Sequence, residues 1–258
     1  MNFVFDIDGT ISFDGYHVDP RIEERIFKLQ QLGHQVIFAS ARPIRDLLPV
    51  IPEFKDFTLI GGNGSIISQN GQIEVIKSIT QDDLQLIKDI IHAYQLKYIF
   101  DDKFNYSTNL DATYELFQRI DPNHTAKALD MNDIVQPIKA IILDIRQDDF
   151  EEIATILAEK SHSLELIHHL NESYIDITAQ GIDKHTTIQK IIGVTTDYIA
   201  FGNDHNDIQM LEHASHGYFV TNLHMDHTTF INNPKITLVD NTNEAICEEL
   251  DKWLNKKK

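Results

Sequence analysis

Residues 1–10 read MNFVFDIDGT, and the second half of that stretch decides the fold. Phe3-Val4-Phe5 is a short apolar run suited to a buried strand, and Asp6 and Asp8 follow at its end. Side chains two apart on a strand share a side, so this spacing crowds two negative charges together just before Gly9-Thr10. Such repulsion at the mouth of a first strand raises the question of what relieves it.

Working outward, Asp19-Pro20 supplies a helix N-cap and a first-turn proline, and Ile22, Ile26, Leu29 and Leu32 follow at helical spacing up to Gly33. A strand at Gln35–Ala39, a helix after Pro43 and a strand at Phe57–Ile60 come next. This alternation is the mark of a parallel α/β sheet. SIISQNGQIEVI then carries Asn70-Gly71 between two β-prone arms, a two-residue hairpin signal.

From about Thr80 to Thr178 the pattern differs. A helix at Asp82–Gln95 capped by Thr80, a strand at Tyr98–Phe100 and a polar stretch lead to a strand at Ile138–Ile145. A helix at Asp148–Lys160 and strands at Leu164–His168 and Tyr174–Ile177 complete a segment long enough to be a domain of its own. The α/β rhythm resumes with a helix at Lys184–Ile192, a strand at Tyr198–Phe201 and a helix at Asp207–His213. Strands at Tyr218–Val220 and Ile236–Val239 precede a last helix, Asn243–Leu254. The reading is one α/β domain interrupted by an insert, with residues 1–80 and 179–258 as the core and 81–178 as the insert.

Lys plus Arg number 22 against 40 Asp plus Glu in 258 residues, a formal net charge of −18. That surface repels nucleic acid and anionic lipid, so neither is an expected partner. Cys247 is the only cysteine, so no intrachain disulfide forms. Asp6 arrives too early for a signal peptide and no apolar run reaches membrane-spanning length, which gives a cytoplasmic expectation. A monomer or weak dimer is the expected state. Lys256-Lys257-Lys258 suits the negative end of the last helix or a solvated tail.

Ligands of an open parallel sheet bind beyond the carboxyl ends of its strands. Asp6, Asp8 and Thr10 follow the first strand, Ser40 and Arg42 the second, and Gly202-Asn203-Asp204-His205-Asn206-Asp207 the strand at Tyr198–Phe201. Lys184 opens the helix just before that last strand. Acid pairs, a hydroxyl, a lysine and an acid/amide cluster converging on one crevice are what magnesium-assisted phosphoryl transfer requires. Mg²⁺ takes hard oxygens and leaves places for water and phosphate. A carboxylate in line with phosphorus can act as nucleophile, and a second can serve as general acid and base. Each element has a plainer reading alone: Asp6–Thr10 as a turn, Ser40 as a cap hydroxyl, Arg42 as an ion-pair partner, Lys184 as a solvated helix residue.

FDIDGT, FASAR, the lysine of GIDKHTTI and FGNDHNDIQML together resemble, in order, the four motifs of the haloacid dehalogenase superfamily of phosphatases. GGNGSII, the long insert and YIDITAQGIDK resemble its Cof-type subgroup with a C2 cap. The resemblance implies a Rossmann-like α/β core with a parallel sheet plus an inserted α+β cap. It further implies Mg²⁺-dependent hydrolysis of a small phosphorylated metabolite, a sugar phosphate first and a phosphorylated cofactor next, through an aspartyl-phosphate.

By position, Asp6 is then the nucleophile and Asp8 the acid/base; Ser40, Lys184 and Asn206 bind the phosphoryl group. Asp6, the Asp8 carbonyl and Asn203 hold the metal with Asp207 in support, while Thr10 and Arg42 are further candidates. Where the family reads Gly-Asp-Gly-x-Asn-Asp, this chain reads Gly-Asn-Asp-His-Asn-Asp. An uncharged Asn203 thus replaces the usual carboxylate and Asp204 is a possible substitute, so weaker metal affinity is expected. His185 stands where glycine often follows the lysine.

A phosphomutase on the same core, a metabolite-binding regulator with little turnover and an interaction protein with a relic site stay open as alternatives. His168, His169, His213, His216, His224 and His227 lack a clean ligand spacing and read as surface or core residues. Asn222 borders the site or forms a turn, and Tyr106, Arg119 and Arg146 are polar insert residues within reach of a substrate or of solvent.

Overall fold

The computed structural model describes residues 1–169, 173–222, 230 and 233–256. Its opening elements are β1 (Asn2–Phe5), α1 (Pro20–Gln31), β2 (Gln35–Ala39), α2 (Ile44–Leu47), β3 (Thr58–Gly61), β4 (Ile66–Gln69) and β5 (Gln72–Val75). Next come α3 (Gln81–Tyr94), β6 (Lys97–Asp101), β7 (Tyr106–Thr108), α4 (Glu115–Gln118), β8 (Lys139–Leu143), α5 (Gln147–Lys160), β9 (Leu164–His169) and β10 (Tyr174–Ala179). The closing elements are α6 (Lys184–Ile192), β11 (Tyr198–Gly202), α7 (Ile208–His213), β12 (His216–Val220), β13 (Ile236–Val239) and α8 (Asn243–Leu254).

Two sheets result. The first has the order β13-β12-β11-β1-β2-β3-β4-β5, parallel from β13 to β3 and antiparallel through the β4–β5 hairpin. β1 pairs with β2 on one side and β11 on the other, so the strand order reverses at β1 and opens a crevice beyond Phe5 and Gly202. Strand alternation sends Phe3 and Phe5 to one face, where α1 and α8 bury Ile22, Ile26, Leu29, Ile246 and Leu250 against them. Val4 and Ala200 turn to the other face, onto Ile188 of α6 and Met210 and Leu211 of α7.

Helix starts follow their caps. Asp19 accepts the Arg21 N–H at 2.8 Å to begin α1, and Thr80 caps α3. Asp183 accepts the Thr186 N–H at 2.6 Å while Thr186 Oγ1 accepts the Asp183 N–H at 3.0 Å, a capping box that fixes Lys184 in the first turn of α6.

The second sheet is antiparallel, β7-β6-β8-β10-β9, and is built from the chain between Lys97 and Ala179. One face, with Tyr98, Phe100, Ala140, Ile142, Ile175 and Ile177, is covered by α3 and α5. The opposite face carries Ile99, Ile141, Leu143, Lys139 and Asp176, which line a cavity shared with Asp8 and Arg42 of the first sheet's crevice. Where the chain passes between the two sheets, Lys77 Nζ donates to Gln180 O at 2.7 Å, so the outgoing and returning segments run side by side. On the far side Arg45 of α2 reaches Asp101 of β6 at 2.7 Å and Asp46 at 2.6 Å, a buried ion cluster bridging the sheets.

Four elements refine the sequence expectation. The polar stretch after Phe100 contains β7 and α4, whose three and four residues are too short to show a period. The helix after Pro43 is a single turn ending at Leu47. The helix expected from Asp207 begins as a 3₁₀ turn, His205–Asp207, because Asp204 and Asp207 close a tight cap first. His224, His227, Lys257 and Lys258 lie outside the described residues.

Candidate active site

Asp6 leaves β1 with its N–H still bonded to Phe201 O at 2.9 Å, so the carboxylate enters the crevice in a fixed direction. Lys184 Nζ donates to Asp6 Oδ1 at 2.6 Å and to Asp207 Oδ1 at 2.7 Å. Thr10 Oγ1 donates to Asp6 Oδ2 at 2.8 Å. The lysine is 1% exposed, which overturns the solvated-helix reading of it. A cation in the first turn of a helix opposes the helix dipole, so the two carboxylates must hold it there. Burial favours loss of its proton, but Asp207 and Asp6 outweigh that and raise its proton affinity.

Asp6 answers in kind. Burial and the neighbouring Asp207 charge push its carboxyl up to about 7, against the opposing pull of Lys184. One ammonium shared by two buried carboxylates leaves the pocket net negative.

Asp207 is fully buried, and its second oxygen accepts the N–H groups of Asn203 at 3.0 Å and Asp204 at 3.2 Å. It therefore shapes the loop that carries Asn203. The Asn203 amide is the group turned toward Asp6. Its inward atom lies 3.0 Å from Asp8 O, 3.2 Å from Asp6 Oδ2 and 3.0 Å from Thr10 Oγ1. With nitrogen inward the amide donates to these oxygens; with oxygen inward, three hard oxygens converge on one point. That donor set fits a small divalent cation. Asp204 is placed otherwise, capping the turn by accepting the His205 N–H at 2.7 Å. Gly9 permits this packing: its φ is +76°, and a Cβ there would stand 2.3 Å from Asn203 Nδ2.

Asp8 points toward the cavity and meets Arg42, whose Nε and Nη2 reach its two oxygens at 2.8 and 2.5 Å. Arg42 Nη2 also holds Gly15 O at 2.9 Å. Ser40 is buried at the end of β2, its Oγ accepting the Arg42 N–H at 3.1 Å. Asn206 Nδ2 donates to Asn63 Oδ1 at 2.9 Å. Asp6, Asp8, Thr10, Lys184, Asn203 and Asp207 thus form one connected cluster, Arg42 joins through Asp8, and Ser40 and Asn206 stand at adjacent strand and helix ends.

Asn63 escaped sequence reasoning. It is buried with φ +55°, its N–H bonds Ser40 O at 3.1 Å, and its Nδ2 has no partner among the described residues. The visible signal was Gly-Gly-Asn-Gly, a run of residues that tolerate positive φ. His185 is turned away from the cluster, 2.8 Å from the Tyr198 hydroxyl and stacked on His213. Asn222 donates to the Asn203 carbonyl and so borders the site. Arg119 lines the cavity, Tyr106 lies under Arg45, and Arg146 is exposed and pairs with Asp149. His168 packs edge-on to Phe150, His169 stacks on Tyr174 and His216 bonds Thr237.

The sequence profile of the haloacid dehalogenase-like hydrolases matches residues 3–250. The chain belongs to that family. Among relatives of this hydrolase, a Metamycoplasma hominis protein named as a phosphatase is 27% identical over 83% of each chain. The 5-amino-6-(5-phospho-D-ribitylamino)uracil phosphatase of Bacillus subtilis is 24% identical over 84% of this chain and 85% of its own. The solved structure of the subclass IIB sugar phosphatase BT4131 superposes with a TM-score of 0.78 at 19% identity, covering 98% of both chains. The likeness of fold therefore extends over nearly the whole chain. No helix among the described residues is long and apolar enough to cross a membrane.

Proposed function

We propose that the protein is a Mg²⁺-dependent phosphatase of small phosphomonoesters that uses Asp6 as nucleophile. The observation carrying this reading is the single junction of Asp6, Lys184, Asp207, Thr10 and Asn203, with Asp8 one residue pair away. Phosphatase names among the relatives agree with it.

Asp6 Oδ attacks phosphorus; the Asp6–O–P bond forms as the bond to the leaving oxygen breaks, and Asp8 gives that oxygen its proton. A water then attacks the phosphoryl group, Asp8 takes the water's proton, and the bond to Asp6 breaks to release inorganic phosphate. Lys184 and Ser40 hold phosphoryl oxygens, with Asn206 supporting them. Thr10 fixes the orientation of the Asp6 carboxylate. Asp6, the Asp8 carbonyl and Asn203 Oδ1 would hold Mg²⁺, which when bound neutralises the approach of phosphate to the acid cluster. Residues 81–178 serve as a cap that closes the cavity against bulk water.

The test is a screen of metabolite phosphates with Mg²⁺, wild type beside Asp6→Asn. Hydrolysis by the wild type that is lost in Asp6→Asn supports the mechanism; activity surviving the substitution rejects it.

A further inference from the structure

Residues 40–46 form a short bridge between the crevice and the insert. Ser40 follows β2, Arg42 forks onto Asp8, and Arg45 and Asp46 lie in the single turn of α2. The turn starts directly behind Arg42, since Pro43 O accepts the Asp46 N–H at 3.0 Å. Arg42 O accepts the Gly62 N–H at 2.8 Å on the other side. A shift of α2 is therefore passed to Arg42 with no slack segment between them.

The insert grips this bridge on one flank and its neighbour loop on the other. Arg45 is buried, and its Nε and Nη2 fork onto Asp46 at 2.7 and 2.6 Å, a neutral unit within α2 itself. Its other bonds go to the insert: Nη2 to Asp101 Oδ1 at 2.7 Å and Nη1 to Phe104 O at 3.0 Å, with the Tyr106 ring 5.0 Å away. Asp46 Oδ1 also accepts the Asp121 N–H at 2.8 Å. Charge-assisted bonds of this kind are directional, and a buried ion pair cannot part without stranding a charge. Across the site, Arg42 Nη2 donates to Gly15 O at 2.9 Å, and the insert's Arg119 lies 5.9 Å over the ring of Tyr16. A Cβ on Gly15 would meet Arg42 Nη2 at 3.1 Å, Asp8 Oδ1 at 3.3 Å and Arg119 Nη1 at 3.7 Å, so these groups gather around one point. Insert contacts thus bracket the Asp8–Arg42 fork.

We infer that Arg45 and Asp46 are positioning residues, through which the insert aims Arg42, and with it Asp8, for proton transfer. The inference rests on the phosphatase reading above, in which Asp8 gives the leaving oxygen its proton. Asp101, Phe104 O and the Asp121 N–H place α2, and the fork of Arg42 carries that placement to the Asp8 carboxyl. Loosening the grip leaves Asp6, Lys184 and Thr10 where they are, because none of them bonds to α2 or to the insert. What suffers is the step that needs an aligned acid. The loss therefore depends on how strongly the leaving oxygen demands a proton as its bond to phosphorus breaks.

The test uses phenyl phosphate and p-nitrophenyl phosphate with Mg²⁺, two esters of similar shape. The phenolate of the first is basic and needs a proton; the nitrophenolate leaves without one. The variants are Arg45→Met and Asp101→Ala. The second removes the insert's carboxylate yet leaves Arg45 paired with Asp46, so no buried charge is stranded and the fold is kept. In each variant kcat/KM for phenyl phosphate is expected to fall about tenfold, while that for p-nitrophenyl phosphate stays within about twofold. An equal fall for both esters would mark a merely structural role and overturns the inference, as does an unchanged value for phenyl phosphate. Where the wild type turns over neither ester, hydrogen exchange decides the coupling without catalysis. The amides of residues 42–47 are then expected to exchange about tenfold faster in Asp101→Ala than in the wild type, with those of β1 and β11 unchanged. Unchanged exchange over 42–47 overturns the grip. A failed screen of metabolite phosphates would remove the phosphatase reading and leave that exchange result standing by itself.

Discussion

Arg42 holds Asp8 with two prongs, Nε at 2.8 Å from one carboxylate oxygen and Nη2 at 2.5 Å from the other. The pair lies at the cavity floor, where Asp8 is the residue proposed to move protons. A forked guanidinium fixes a carboxylate plane that a single-point ammonium leaves free to turn. Arg42→Lys is therefore expected to lower kcat about tenfold with little change in thermal midpoint, because a partly exposed pair adds little to stability. Unchanged kcat would show that the orientation of Asp8 does not depend on the fork.

Lys184 is the only cation bonded to both Asp6 and Asp207 among the described residues. Lys184→Met leaves two buried carboxylates facing each other, and removing one partner of a buried pair typically destabilises by about 3–5 kcal/mol. Urea unfolding of Lys184→Met should show a loss of that order. Adding Asp207→Asn to it should recover part of the loss, and no recovery would place the destabilisation elsewhere.

Asn203→Asp adds a charge to the oxygens around Asp6. More ligand charge strengthens a hard-cation site, so half-saturating Mg²⁺ is expected to fall about tenfold. The readout is the rise of thermal midpoint with added Mg²⁺, which follows occupancy without any turnover. An unchanged Mg²⁺ titration would mean that Asn203 does not face the ion.

Asp101 gives a pH signature to the ion cluster between the sheets. Burial pushes its carboxyl up to about 6 from an ordinary 3.8, against the pull of Arg45. Between those values the folded protein binds a proton that the unfolded chain has released. Its contribution to stability is thus full below the unfolded value and is lost as pH rises through about 6. The difference in unfolding free energy between wild type and Asp101→Asn should shrink from about pH 4.5 to about pH 7. A difference that grows over that range would contradict this account.

What was legible in the sequence is what local pattern controls. Asp19, Thr80 and Asn70-Gly71 announce a cap, a cap and a hairpin through neighbours within three residues, and all three occur where the pattern puts them. Lys184 was readable only through its company, since alone it looks like a solvated helix residue. The contact of Asn63 with Asn206 spans 143 positions, and no local pattern could reveal it. Arg45 and Asp46 drew no reading from the sequence, because Asp101, which completes their cluster, stands more than fifty positions away. The row of Ile99, Ile141 and Asp176 was equally hidden, because strand register is set by pairing between segments and not within them.

The Lys77–Gln180 crossing has a mechanical meaning as well. The chain leaves the parallel sheet and returns to it at neighbouring points, so the core presents a socket of fixed width whatever is plugged into it. A change of length or sequence between those points can then leave the Asp6–Lys184 pair where it is.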